Sequence, residues 1–152
     1  MDLIFNEKVL HAYCDASFYS EYNKGLIAFV LCDQQDNVIY KKNKMIECST
    51  SMEAEFLAIK NVVMWINLYQ KSNLLRNRIY INIVSDAKNL VEYINSPKTI
   101  KCNCVDKANL TNLIEQMDHL RNNNTVSVKF KNRKNNKLAH NHTKPSCLYA
   151  MV

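Results

Sequence analysis

The chain has 152 residues, 47% of them hydrophobic, and carries 20 Lys and Arg against 14 Asp and Glu, for a formal net charge of +6. This length suits one domain with its own core, and the apolar content excludes a disordered tail. No apolar run approaches membrane-spanning length, and the mild basicity is compatible with a polyanionic partner without requiring one.

KVLHAYCDAS alternates apolar and polar residues towards an abrupt acidic end, the pattern of a strand. FYSEYNKG reads as a polar turn, after which Gly25, the only glycine, opens the near-continuous apolar strand LIAFVLC. QQDN is a second turn, and VIYKKNKMIEC completes an antiparallel meander. The period then changes. Met52, Phe56, Ile59 and Val63 fall on one helical stripe, with Thr50 or Ser51 suited to cap it. Trp65 and Tyr69 of the same helix are expected to pack on the core.

RIYINIVSD is a buried strand ending on Ser85-Asp86, and AKNLVEYINS is a short helix stopped before Pro97. CVDKANLTNLIEQMDHLRNN is amphipathic, with Leu110, Leu113, Met117 and Leu120 roughly on one side. TVSVKFK is the last strand, and RKNNKLAHNHTK runs from a loop into a terminal helix limited by Pro145. This order predicts one α/β domain over residues 1–152, with a five-stranded mixed sheet, three antiparallel strands first, flanked by helices.

Six cysteines are scattered without a C-x-x-C pair, and the first residues lack the basic start and apolar run of a signal peptide. Free thiols in a cytoplasmic protein are expected. Cys102 and Cys104 have no second pair nearby to complete a zinc site.

Three carboxylates sit at element ends: Asp15 on the first strand, Glu55 in the first turns of the long helix, and Asp86 after the fourth strand. With strands one and four adjacent, the two aspartates lie side by side, and Glu55 can project towards them. Converging carboxylates repel unless cations neutralise them, and oxygen-rich clusters of this kind hold Mg²⁺ or Mn²⁺. Two such ions can activate a water and stabilise the leaving oxygen in phosphodiester cleavage. A plainer account also fits each residue alone: Asp86 can cap the helix that follows it, and a Glu near a helix start is favoured by the dipole.

YCDAS, STSMEAEFLAI, IVSDAKNLVEYI and FKNRKNNKLAH follow, in order, the four motifs of type 1 ribonuclease H, which the chain resembles from about Val9 to about Lys144. The ending resembles the compact form R-x-x-N-x-x-A-[D/H], here Arg133, Asn136, Ala139 and His140. The resemblance implies a ribonuclease H-like fold and an endonuclease that hydrolyses the RNA strand of RNA/DNA hybrids with two metal ions, leaving a 5′-phosphate and a 3′-hydroxyl. Asp15 would bridge both ions, Glu55 and Asp86 would complete the shell of the second ion and help place the RNA strand, and His140 would be the fourth ligand. The A-E-x-x-A pattern selects Glu55 over Glu53. Thr50 and Ser51 match positions that touch the hybrid, and the backbone of Ala16 and Ser17 would face its minor groove. Arg133 and Asn136 are expected on the same nucleic-acid-binding surface, flanked by Lys129, Lys131, Lys134 and Lys137.

His140 stands where the best-known members carry Asp, and a neutral imidazole shifts preference from Mg²⁺ towards Mn²⁺. His142, roughly 200° away on a helix, cannot share an ion with it. There is no long basic protrusion after the Asp86 helix. A monomeric enzyme acting on RNA/DNA hybrids is the leading expectation. A ribonuclease H-fold module that binds nucleic acid or a protein without efficient turnover is the alternative. An exonuclease of the D-x-E type does not fit Asp15-Ala16-Ser17.

Overall fold

A computed structural model describes residues 8–71, 78–96, 107–132, 136–141 and 143. The elements are β1 (Val9–Tyr19), β2 (Lys24–Cys32), β3 (Val38–Glu47), α1 (Ser51–Lys71), β4 (Tyr80–Ser85), α2 (Lys88–Asn95), α3 (Lys107–Asn123), β5 (Thr125–Phe130) and α4 (Lys137–Asn141). They form a five-stranded sheet in the order β3-β2-β1-β4-β5. The β1–β2 and β2–β3 pairs are antiparallel, whereas β1–β4 and β4–β5 are parallel. This is the mixed sheet the sequence predicts, with three antiparallel strands first.

The pleat divides the side chains of the sheet between two faces. Leu10, Ala12, Cys14 and Ala16 of β1 join Ile27, Phe29 and Leu31 of β2 in the main core beneath α1, α2 and α3. The alternate residues Tyr13, Val30 and Cys32 form a small second cluster with Val84 and Ala139, which seats α4 on the opposite face. Burying apolar surface on both faces is worth about 25 cal/mol per Å², and this anchors both α1 and α4 to β1. Polar pairs tie α1 to α3: the Asn67 amide donates to Gln116, and Gln70 and Asn124 exchange hydrogen bonds. Trp65 stacks between Tyr40 and Tyr69 at centroid distances of 4.7 and 5.1 Å, as partly buried packing.

One turn is shorter than the sequence predicts. β1 continues through Phe18 and Tyr19, which pair with Gly25 and Lys24. The chain reverses within residues 20–23, closed by Tyr22 N–H donating to Tyr19 C=O and by Asn23 at φ 48°. Asn tolerates that left-handed conformation, so the reversal needs no glycine. Gly25 serves packing instead. A Cβ there would lie 3.0 Å from Cys48 Sγ and 3.1 Å from the Ala54 Cβ, so its absence lets the start of α1 close on β2.

Candidate active site

The parallel register of β1 and β4 pairs Tyr13 with Val84. Continued two residues further, it sets Asp15 level with Asp86. Glu55 reaches the same point from α1, whose start is fixed by a cap. Thr50 Oγ1 accepts from Glu53 N–H at 3.0 Å, and the Glu53 carboxylate accepts from Ser49 N–H at 3.2 Å. The two neighbouring glutamates thus separate: Glu53 closes the helix end, and Glu55 joins the aspartates. The N-cap of α2 is Ala87, with no side-chain cap, and Ser85 Oγ accepts from Ala87 N–H. The N-cap position of α2 is thus Ala87 and not Asp86.

Ligand oxygens of Asp15, Glu55 and Asp86 all lie within 4.8 Å of one another. Asp15 is fully buried, and its Oδ1 has no hydrogen-bond partner. A buried carboxylate oxygen without a donor costs free energy unless a cation completes it. The donor set is all oxygen, which suits Mg²⁺ or Mn²⁺. Cys14, directly before Asp15, has its thiol pushed well above the ordinary value, first by burial and then by the negative charge of Glu55, Asp15 and Asp86. It stays a neutral thiol, donating to Val84 C=O at 3.3 Å. The residues present fit a divalent cation.

The other Asp15 oxygen, Oδ2, lies 2.9 Å from His140 Nδ1 on α4. If Asp15 accepts there as a carboxylate, Nδ1 is the donor of the pair. Among the described residues the converging ligand group is Asp15, Glu55 and Asp86, and His140 meets it through Asp15 Oδ2. Thr143 Oγ1 sits 3.5 Å from Asp15 Oδ2 and donates to His140 C=O at 2.8 Å. The Thr143 carbonyl in turn accepts from the Tyr19 hydroxyl at 3.0 Å. Neither Tyr19 nor Thr143 stands out in the sequence, because only the folded register brings them together.

The remaining predicted residues fall in several places. Thr50 and Ser51 are exposed at the start of α1. Ala16 is buried, and Ser17 is half-buried opposite Leu26. Both lie on the part of β1 that runs past its pairing with β4. Asn136 is 1% exposed and donates its amide to Cys14 C=O at 2.9 Å, which clasps α4 to β1. Arg133, Lys134 and His142 lie outside the described residues, as do Pro97, Pro145, Cys102, Cys104 and Cys147. Lys129 and Lys137 are exposed, and Lys131 Nζ stands 5.7 Å from the centre of the Tyr13 ring. Cys14, Cys32 and Cys48 are buried free thiols. Among the described residues, no helix is long and apolar enough to cross a membrane.

A mixed sheet in this order, with acidic residues converging where the pairing of its central strands β1 and β4 ends, defines an α/β protein of ribonuclease H-like fold. The chain belongs to the Reverse transcriptase-like family, whose profile matches residues 13–145. It is similar in structure to RNase H1 from the halophilic archaeon Halobacterium salinarum, with a TM-score of 0.69 at 15% identity over 89% of this chain and 96% of that one. The N-terminal RNase H domain of a Mycobacterium tuberculosis protein gives 0.69 at 14% identity, over 96% and 100% of the two chains. LC11-RNase H1, isolated from compost and solved in complex with an RNA/DNA hybrid, gives 0.68 at 14% identity, over 91% and 99%. At these identities the likeness establishes the fold. No curated protein sequence matches the chain.

Proposed function

We propose that this chain is a ribonuclease H: a metal-dependent endonuclease that hydrolyses the RNA strand of RNA/DNA hybrids, acting as a cytoplasmic, single-domain monomer. The observation that carries the reading is the convergence of Asp15, Glu55 and Asp86 within 4.8 Å around a buried, unpartnered Asp15 oxygen. The Asp15 oxygen that no described residue satisfies, set beside two further carboxylates, supports a site that receives positive charge. The solved LC11-RNase H1 complex holds an RNA/DNA hybrid on the same fold, which supports the choice of substrate.

Asp15, Glu55 and Asp86 would hold two Mg²⁺ or Mn²⁺ ions, with His140 beside Asp15 as the proposed fourth ligand. Bound there, the ions supply the Lewis acidity that activates a water and stabilises the leaving oxygen. The protein's own part is positional. Buried β1 fixes Asp15, the Thr50–Glu53 cap fixes the direction of Glu55, and α4 holds the imidazole against Asp15. Thr50, Ser51 and the Ala16–Ser17 backbone border this point and would meet the 2′-hydroxyls of an A-like minor groove. Arg133 and the lysines around it would track phosphates, making binding salt-sensitive.

A second reading rests on one observation: Asp15 is fully buried and its Oδ2 already faces His140. A protein that keeps this closed arrangement would grip a hybrid without cutting it. The test is incubation with a labelled RNA/DNA hybrid in Mg²⁺ and in Mn²⁺, beside Asp15→Asn. The enzyme reading expects cleavage of the RNA strand by the parent alone. Binding without cleavage in either ion establishes the second reading in its place.

A further inference from the structure

We infer that Tyr19 is a positioning residue of this site, acting on His140 through the backbone of Thr143. The inference rests on the proposed metal-dependent reading and deepens it. Asp15 and Tyr19 lie on the same strand, an even number of residues apart, so their side chains leave the same face of the sheet. That is the face on which Ala139 seats α4. α4 spans only five residues, too short to hold its own geometry. Packing of Ala139 seats it, and attachments at both ends fix its bearing. Asn136 Nδ2 donates to Cys14 C=O just before its first turn, and the Tyr19 hydroxyl donates to Thr143 C=O just after its last.

Between these anchors, bonds link Asn136, His140 and Thr143. His140 N–H donates to Asn136 C=O, while Thr143 N–H and Oγ1 both reach His140 C=O, at 3.1 and 2.8 Å. The imidazole therefore hangs from a backbone segment tied to β1 on either side of Asp15. Removing the Tyr19 hydroxyl frees the C-terminal tie, and His140 Nδ1 loses its fixed bearing on Asp15 Oδ2. Asp15 Oδ2 then loses a fixed partner at the carboxylate that would meet the ion. The link from Tyr19 to His140 runs through Thr143.

Tyr19→Phe in the full chain tests this with two readouts besides turnover. One is the ¹⁵N signature of the His140 ring in the metal-free protein, which reports the Nδ1–H tautomer and its hydrogen bond to Asp15. The other is the Mn²⁺ dissociation constant by calorimetry. The expected result is a changed ring signature together with roughly three- to tenfold weaker Mn²⁺ binding, the size of one net hydrogen bond. An unchanged ring signature or an unchanged dissociation constant overturns the inference. Should Tyr19→Phe fail to fold, Tyr19→Met is read in its place. That change also removes the hydroxyl donor to Thr143 C=O while keeping a bulky apolar side chain, and it carries the same expected and overturning results. Wild-type protein that takes up no Mn²⁺ overturns the metal reading and the positioning role with it; equal uptake by wild type and variant overturns the positioning role alone.

Discussion

His140 Nδ1 and Asp15 Oδ2 lie 2.9 Å apart although 125 residues separate them in the chain. The pair makes His140 more than a substitute for a carboxylate, because the imidazole supplies a donor to a buried anion that an aspartate there would repel. His140→Asp is therefore expected to lower the melting temperature in EDTA and to regain it as Mg²⁺ is added. Activity in Mg²⁺ should be kept or raised, since the change restores a hard anionic ligand. Thermal melts across a Mg²⁺ series, read beside hybrid cleavage, check both halves. A variant as stable as wild type in EDTA would show that the pair has no influence on folding.

Asp15→Asn separates stability from activity. Asp15 is buried beside two further carboxylates and has one oxygen unpartnered. The neutral amide relieves that repulsion and can donate where the carboxylate cannot. In EDTA the variant should gain about 1–2 kcal/mol in urea unfolding, while Mn²⁺ stabilisation and cleavage disappear. A loss of stability in EDTA would make Asp15 a structural anion.

Asn136→Ala distinguishes a clasp from a nucleic-acid contact. Removing the amide leaves the Cys14 carbonyl without this donor and loosens α4, which is expected to cost about 1–3 kcal/mol of stability. Because Asn136 is buried, hybrid binding should keep the same dependence on salt concentration. A lysine lost from the phosphate track would instead reduce that slope by about one. Affinities measured over a salt series, with melting curves alongside, check this.

Much of the arrangement is legible in the sequence, and what is missing has a common cause. Element order follows from the change of hydrophobic period at Met52 and from the acidic ends of the β1 and β4 segments. Glu55 rather than Glu53 follows from the motif spacing, and the structure adds the reason, since Glu53 is engaged by Ser49 N–H. The Tyr19–Thr143 bond spans 124 residues and leaves no local pattern. The motif supplies Asn136 as a residue type but not its direction, so its inward turn appears only once α4 is seated. Tyr19 itself looks like part of a turn because the polar run after it hides how far the β1–β2 pairing extends.

Gly25→Ala should disturb the site from a distance. The added methyl meets Cys48 Sγ and the Ala54 Cβ at 3.0 and 3.1 Å, so the start of α1 must shift by a few tenths of an ångström. A cost of about 1–3 kcal/mol is expected from such overpacking. Because Glu55 follows Ala54, Mn²⁺ affinity should fall as well. Urea unfolding and calorimetry on the same preparation give both values.

Alkaline pH should weaken the fold through its thiols. Burial, then the charges of Asp36 and Asp33, push Cys32 up to about 11, and burial likewise raises Cys14 and Cys48. The unfolded chain releases these protons near pH 9 while the folded chain keeps them, so stability is complete below that pH and falls as pH rises towards 11. Each thiol contributes a slope of up to about 1.4 kcal/mol per pH unit. Urea midpoints between pH 8 and 11 should fall less steeply for Cys32→Ala than for wild type.

The most direct test of the central claim is to locate Mn²⁺ by anomalous diffraction in crystals of the protein bound to an RNA/DNA hybrid, with Asp15→Asn used to prevent cleavage and wild type soaked without hybrid for comparison. The account predicts Mn²⁺ in the wild-type crystals in contact with Asp15, Glu55 and Asp86, and a hybrid whose RNA strand lies against that cluster. Wild-type crystals with no Mn²⁺ at these three carboxylates, or a hybrid bound on another face, would contradict it.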